Sequence, residues 1–173
     1  LFWIKKVQFG FIIKALQITA PILFISKLMA WFPKNKKFKL TKTSKDYLLV
    51  SLQLLLFGLY LFDFLPKFDI PAFNTYLGLF FAILGIIISV VSLANLDENL
   101  TIFPTPKENS ELITKGLYKF SRHPIYTGIL MFVFGFAVFW ESYYKLLISV
   151  LLLILFYLKT LYEEEQLKKK YPK

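Results

Sequence analysis

Apolar and polar residues fall in long blocks along this chain rather than alternating residue by residue. Five apolar runs cover residues 9–32, 47–65, 72–93, 125–140 and 145–162. A helix needs ~20 residues to cross the hydrocarbon of a bilayer, and these runs approach or exceed that length. The fourth, at 16 residues, is at the low end. Continuous apolar runs this long predict helices rather than strands. The first run carries Lys14, Gln17, Pro21 and Lys27. Its two lysines lie near its ends, where long side chains reach back to the interface, so it reads as a span. An amphipathic helix lying in the interface is the alternative. In the second run only Gln53 and Asp63 are polar. The third places Gly78 and Gly85 seven apart on one helical face, which permits close helix packing.

The polar segments differ in character. Residues 33–45 hold six lysines, 66–71 form a turn of mixed charge, and 141–144 make a tight connection. Residues 94–115 contain Asn95, Asp97, Glu98, Asn99, Pro104, Pro106, Glu108 and Glu111. That segment is too polar for lipid and too broken by proline for one helix. The short link at 141–144 predicts an antiparallel hairpin from the last two runs. Residues 122–126 and 159–165 then meet at one membrane face. With five spans, the 33–45 loop, the 94–123 segment and the tail bearing Lys168, Lys169 and Lys170 share a side. The positive-inside rule makes it cytoplasmic. The N-terminus then faces out, against which Lys5 and Lys6 speak mildly. The expected fold is all-α: a polytopic membrane protein of about five transmembrane helices. Residues 1–93 supply N-terminal transmembrane helices and 94–173 a cofactor loop, helical hairpin and tail, in a single domain.

Composition narrows the chemistry. Hydrophobic residues make up 57% of the chain, above the ~45–50% of a soluble domain. There is no cysteine, which excludes disulfides, thiolate nucleophiles and cysteine-ligated metals. A single histidine leaves a metal site little to build on. The net charge of +10 fits nucleic acid in principle. The lysines, however, flank apolar runs, as anchors at an anionic leaflet do. No cleavable signal peptide is recognisable. The chain starts at Leu1 and stops soon after a helix, so residues beyond both ends are expected.

The polar stretch 116–128, GLYKFSRHPIYTG, carries the sole arginine, Arg122, and the sole histidine, His123. The other 20 of the 21 basic residues are lysines. A guanidinium fork binds carboxylates and phosphates bidentately, which an ammonium does not. Pro124 then fixes the backbone. The second charged group is Glu163-Glu164-Glu165, just past the fifth run. Three adjacent carboxylates repel one another and call for cations or hydroxyls opposite them. Pairing with Lys159, Lys168 and Lys169 at helical spacing is the plainer reading. Together the clusters offer an anion site and a hydroxyl-and-cation site, with Tyr118, Phe120 and Tyr126 between. A methyl-sulfonium nucleotide has a carboxylate, a ribose diol and a positive centre to match them.

The run LITKGLYKFSRHPIYTG, an apolar hairpin and EExxL (Glu163, Glu164, Leu167) resemble the isoprenylcysteine carboxyl methyltransferase family. Its relatives include prokaryotic integral-membrane methyltransferases and phospholipid methyltransferases. The resemblance covers roughly residues 103–172. It implies an all-helical membrane enzyme that binds S-adenosyl-L-methionine at the cytoplasmic face. The implied cofactor contacts are Glu111, Leu112, Ile113, Tyr118, His123, Pro124, Ile125 and Tyr126, with Glu163 and its neighbour Glu164. The family's substrate-side basic position is Lys159, where the enzymes acting on lipid-modified cysteine have arginine. Arg122 is expected to anchor the hairpin geometry or an anionic substrate group. Tyr171-Pro172 stands where many relatives carry Phe-Gly. The implied reaction is in-line attack on the sulfonium methyl by a nucleophile delivered from the bilayer, with alignment and exclusion of water as the protein's work. Prenylated cysteine, a phospholipid amine and a small lipophilic acid or thiol all fit as the lipophilic acceptor. The competing reading is an NADPH-dependent membrane reductase of the sterol type, whose RxPNYxGE stretch is similar. Ile125 and Ile129 replace its Asn and Glu. A non-catalytic membrane scaffold is the third class.

Overall fold

The structure is a computed structural model, and it describes residues 44–96, 99–106 and 110–171. The expected first span and most of the lysine-rich loop lie outside the described residues. Four helices follow in order: α1 (Ser44–Tyr60), α2 (Ala72–Leu96), α3 (Pro124–Phe139) and α4 (Tyr143–Lys170). A 3-10 turn, Gly116–Lys119, precedes α3. The described residues form no strand; only an isolated bridge joins Lys67 and Ser142.

Local chemistry sets the helix ends. Pro124 opens α3, where its missing N–H would have no helical partner anyway, and His123 precedes it as N-cap. At the hairpin tip, Glu141 adopts φ 55. Ser142 then caps α4, its Oγ accepting from the Lys145 amide at 3.1 Å. Three lysines in the last turn of α4 suit the negative end of its dipole. Gly116, at φ +58, lies against the Asn95 side chain, where any Cβ would collide.

The helices run antiparallel, so their polar ends collect at two levels. At one level Thr75 donates to Glu141 at 3.1 Å, Ser142 donates to Asp63 at 2.7 Å, and Lys67 lies 4.4 Å from the Trp140 ring centre. At the other, Thr105 meets Asp46 and Arg122 meets Glu164. The described parts of the 94–123 segment and residues 163–171 therefore share an end, opposite the 60–70 and 140–142 turns.

Two kinds of packing hold the bundle. Leu56, Tyr60, Val133, Ile148, Leu152, Leu155 and Phe156 form an apolar core among α1, α3 and α4. Between α2 and α3 the contact is made by small residues instead. A Cβ on Gly78 would lie 2.8 Å from the Gly135 carbonyl, and one on Gly85 2.5 Å from that of Gly128. The two heptad-spaced glycine pairs meet reciprocally, which fixes an antiparallel, backbone-to-backbone crossing. Gly78, Ala82, Gly85, Ser89 and Ser92 of α2 are buried, while Phe80, Phe81, Ile83, Ile86, Ile87 and Val90 are exposed. This inverts the pattern of a water-soluble core helix. In the most apolar windows of α2 and α4 only 28% and 33% of residues are buried. Both helices are long and apolar enough to cross a membrane; α3 is shorter but apolar. α4 has 28 residues, ~42 Å at the α-helical rise, against ~30 Å of hydrocarbon. Its apolar stretch ends at Tyr162, and the turns from Glu163 onward lie beyond it.

The crossing makes a specific prediction. Gly85→Leu should lower stability by about 1–3 kcal/mol or prevent folding, since the backbone of α3 leaves no room. A Cβ at Gly58 meets nothing within 4 Å, so Gly58→Ala should be neutral or stabilising by about 0.5–1 kcal/mol. Thermal melting in detergent checks both; equal effects would refute the crossing.

Candidate active site

The hairpin carries the first turn of α3 to the polar end of α4. Arg122 Nη1 lies 2.6 Å from Glu164 Oε2. His123 Nε2 lies 3.2 Å from Glu164 Oε1, and its Nδ1 3.8 Å from Glu163 Oε2. One turn into α3, Tyr126 donates its hydroxyl to Glu163 Oε2 at 2.9 Å. The ring of Tyr126 is sandwiched. The His123 ring stacks on it at 5.6 Å, and Phe156 of α4 stacks at 4.8 Å. An aromatic plate, an imidazole and two carboxylates thus share one border of the bundle.

The third carboxylate behaves otherwise. Glu165 pairs with Lys169 one turn on, at 2.5 Å, so the plain helical pairing holds for that residue alone. Consecutive residues on a helix are ~100° apart, which sends the three acids in three directions.

Surroundings drive the two site carboxylates apart. Burial pushes the Glu163 carboxyl above its ordinary range, against the pull of His123, Tyr126 and Lys159. Burial acts on Glu164 too, but hydrogen bonds from His123 and Arg122 outweigh it and hold that carboxyl low. Tyr118, in the 3-10 turn, is raised well above the ordinary phenol range by burial and then by the charge of Glu163. Its hydroxyl therefore stays a donor at neutral pH.

Behind the plate lies Lys159, 2% exposed. Its Nζ sits 5.4 Å from the Tyr126 ring centre and donates to Gln53 Oε1 at 2.7 Å and to the Ile102 carbonyl at 3.0 Å. Below it Asp46, fully buried, accepts from the Thr105 amide and hydroxyl at 3.2 and 2.7 Å. These bonds staple the loop after α2 to α1 and α4.

The sequence-derived residues are therefore split. Arg122, His123, Tyr126, Glu163 and Glu164 are gathered, Tyr118 faces Glu163, and Lys159 stands behind Tyr126. Pro124 and Ile125 supply the helix start that aims them. Glu111, Leu112 and Ile113 lie on a loop tied elsewhere. The Glu111 amide donates to Asn99 Oδ1 at 2.9 Å, and Ser110 bonds Lys170 at 2.8 Å and the Tyr171 hydroxyl. Sequence reasoning missed Asp46, Thr105 and Phe156. An acid in the first turn of an apolar helix was a signal for Asp46; nothing distinguishes Phe156 from its apolar neighbours. Gln53 was visible as a lone amide in an apolar run, without a partner to assign it.

The donor set suits a sulfonium nucleotide. Carboxylates accept from ribose hydroxyls and ammonium groups, and stacked ring faces favour a sulfonium. His123, Tyr126 and Glu163 are the residues placed to hold it. The set also agrees with comparison to known families. A family model described as phospholipid methyltransferase matches residues 73–173, which contain the whole α3–α4 cluster. It gives no support to the reductase reading. No curated protein matches the chain.

Lys159 and Arg122 should separate in their effect on stability. Lys159→Met removes a buried ammonium that serves two part-buried acceptors and should cost about 1–3 kcal/mol. The Arg122 side chain is 68% exposed, so Arg122→Gln should cost at most about 1 kcal/mol. Denaturation curves of the two variants give the comparison; the reverse order would remove Lys159 as a strut.

Proposed function

Because this chain belongs to the phospholipid methyltransferase family, we propose that it moves the methyl group of S-adenosyl-L-methionine to a lipophilic acceptor in the membrane. The observation that carries this reading is the closure of His123 and Tyr126 over Glu163 across the hairpin. Tyr126 and Glu163, 37 positions apart in the chain, are brought into contact there. The protein is a multi-pass membrane enzyme in this reading. The end bearing the cluster faces the cytoplasm in this reading, because Lys45, Lys115, Lys119, Lys168, Lys169 and Lys170 belong to that end.

The bound cofactor supplies an electrophilic methyl group on a sulfonium. The chain supplies the rest. Glu163 accepts hydrogen bonds from ligand hydroxyl or ammonium groups, and Tyr126 and His123 present ring faces to positive charge. Arg122 and Glu164 lock the hairpin so that this geometry is in place before binding, which removes an ordering cost from the reaction. The apolar body excludes water from the methyl. An amine acceptor must be neutral when it attacks, and the cluster's placement at the membrane border lets its proton leave to water.

A lipid headgroup of the phospholipid class is favoured over a prenylcysteine carboxylate. A carboxylate acceptor calls for a basic partner, and the Lys159 ammonium is already committed to Gln53 and Ile102. Arg122 is likewise committed to Glu164.

Calorimetry with S-adenosyl-homocysteine tests the site. Glu163→Ala should weaken binding at least about tenfold, the loss of one or two charged hydrogen bonds. Unchanged affinity takes Glu163 out of the site. The ligand should raise the melting temperature where NADPH does not, and labelled methyl should appear in membrane lipids given to the purified protein.

A further inference from the structure

A groove of about 770 Å³ runs along the bundle beside the cluster rather than over it. Its walls come from α2, α3 and α4 and the turn before α2. Leu77, Phe81, Met131, Phe134 and Leu153 line it, and Gly78 and Gly135 give it depth where two backbones meet. Only Asn74 and Thr127 bring polar side chains to it. The volume falls among those of sites that enclose a small organic ligand, ~300–1,000 Å³.

Three observations say what it takes. The first is depth: the groove opens between helices whose outer faces are large exposed apolar residues such as Phe80, Ile83, Leu147 and Ile154. That surface meets hydrocarbon, so the groove opens to acyl chains rather than to water. The second is length. Along α3 the lining runs from Thr127 to Val138, ~16 Å at the helical rise, which suits an extended chain rather than a compact ring. The third is where it points. Thr127, Met131, Phe134 and Val138 recur at steps of three and four, one face of α3, and His123 caps that helix one turn before Thr127. Leu146, Leu153 and Glu164 recur at steps of seven and eleven, one face of α4. The α4 face that walls the groove therefore leads up to Glu164, and the α3 face ends one turn from His123. Thr127 marks the junction, its hydroxyl donating to the His123 carbonyl at 3.3 Å.

We propose that this groove holds one long acyl chain of the methyl acceptor, with the headgroup delivered at the His123–Glu164 end. The inference rests on the methyltransferase reading for the word acceptor, but not for the chain. It makes chain length a determinant of substrate choice: chains that fill the groove bind, and truncated chains lose affinity while keeping the reactive headgroup. The membrane holds the substrate in register with the site as well as dissolving it.

The test uses the full chain in lipid nanodiscs. Phosphatidylethanolamine bearing a mid-chain diazirine is photolysed and its adducts are mapped by mass spectrometry. Adducts should concentrate on Leu77, Met131 and Phe134, at least about fivefold over Ile83 and Leu147 of the outer faces, a preference of about 1 kcal/mol. Leu77→Trp fills the groove far from the cluster and should abolish the preference; Ile83→Trp, on an outer face of the same helix, should leave it. In the methyl-transfer assay Leu77→Trp should raise KM for a long-chain acceptor at least about tenfold and leave a short-chain one unchanged. Adducts spread evenly over all apolar faces overturn the inference. So does a groove blocked by protein–protein cross-links, from a second copy or from elsewhere in the chain. Loss of stability in Leu77→Trp is excluded by its cofactor binding, which must match the parent. Groove labelling without any methyl transfer would overturn the functional reading and leave the chain site standing. Methyl transfer with diffuse labelling would overturn the chain site alone.

Discussion

A polar side chain set in an apolar body has no water to turn to, and this bundle is arranged around meeting that demand internally. Among the described residues no buried side-chain nitrogen or oxygen lacks a partner. Ser92 and Ser149 bond carbonyls of their own helices, but the partners of Asp46, Lys145 and Lys159 lie on other segments, so those three also act as struts. Lys145, 1% exposed, donates to the carbonyls of Tyr60 at 2.8 Å and Phe62 at 3.2 Å. It thereby caps the end of α1 with a cation from α4. Tyr60 in turn donates to the Val133 carbonyl of α3 at 2.6 Å. Lys159 does for the other half of α1 what Lys145 does for its end. With both lysines pinned, the rotation of α4 about its own axis is set. Glu163, one turn past Lys159, then points at Tyr126 rather than at lipid.

The contact between α2 and α3 answers a different need. Lipid is as apolar as leucine, so burying large side chains between helices gains little there. What gains is contact between backbones, and the glycine pairs permit it. The result is a rigid two-helix plate whose upper end carries Asn95, Gly116 and the start of α3. The loop that holds Tyr118 is thus fastened at Asn95–Gly116, and the segment before it at Asp46–Thr105. Site geometry is inherited from these fastenings, which lie outside the reacting groups.

Much of this was legible in the residues. Block hydropathy located the four described helices. The four-residue link at 141–144 implied the hairpin, and with it the meeting of His123 and Glu163, because so short a connection permits no other packing. The heptad of Gly78 and Gly85 announced a close crossing without naming Gly128 and Gly135 as its partners. Helix ends were less readable, for physical reasons. α4 continues through Glu163 to Lys170 because Glu, Gln and Lys are good helix formers, so the helix outlasts the apolar run. α1 stops at Tyr60, short of the apolar residues to 65, and Lys145 caps the Tyr60 carbonyl there, a partner 85 residues away. Asp46 with Thr105, 59 residues apart, and Phe156 beneath Tyr126 are products of tertiary packing, to which no local pattern in the chain points.

The triplet of acids shows how little sequence adjacency says about role. Glu165 is 59% exposed and answers Lys169 on its own helix, an interaction with no consequence for the site. Glu164 accepts from a guanidinium and faces an imidazole, which occupies both its oxygens and ties α3 to α4. Glu163 is the most enclosed by ionisable partners. Yet among the described residues its hydrogen-bond donor is a single phenol, where a carboxylate has about four acceptor positions. It is walled by Tyr118, Tyr126, His123 and Lys159, all of which favour or tolerate its charge. A carboxylate kept in such company with acceptor capacity to spare is suited to receive hydroxyl or ammonium donors from a ligand. Its neighbour, with one oxygen on Arg122 and the other facing His123, holds the frame. Mutating the two should therefore have unlike consequences even though they differ by one position on one helix, and the argument for a ligand site concentrates on Glu163.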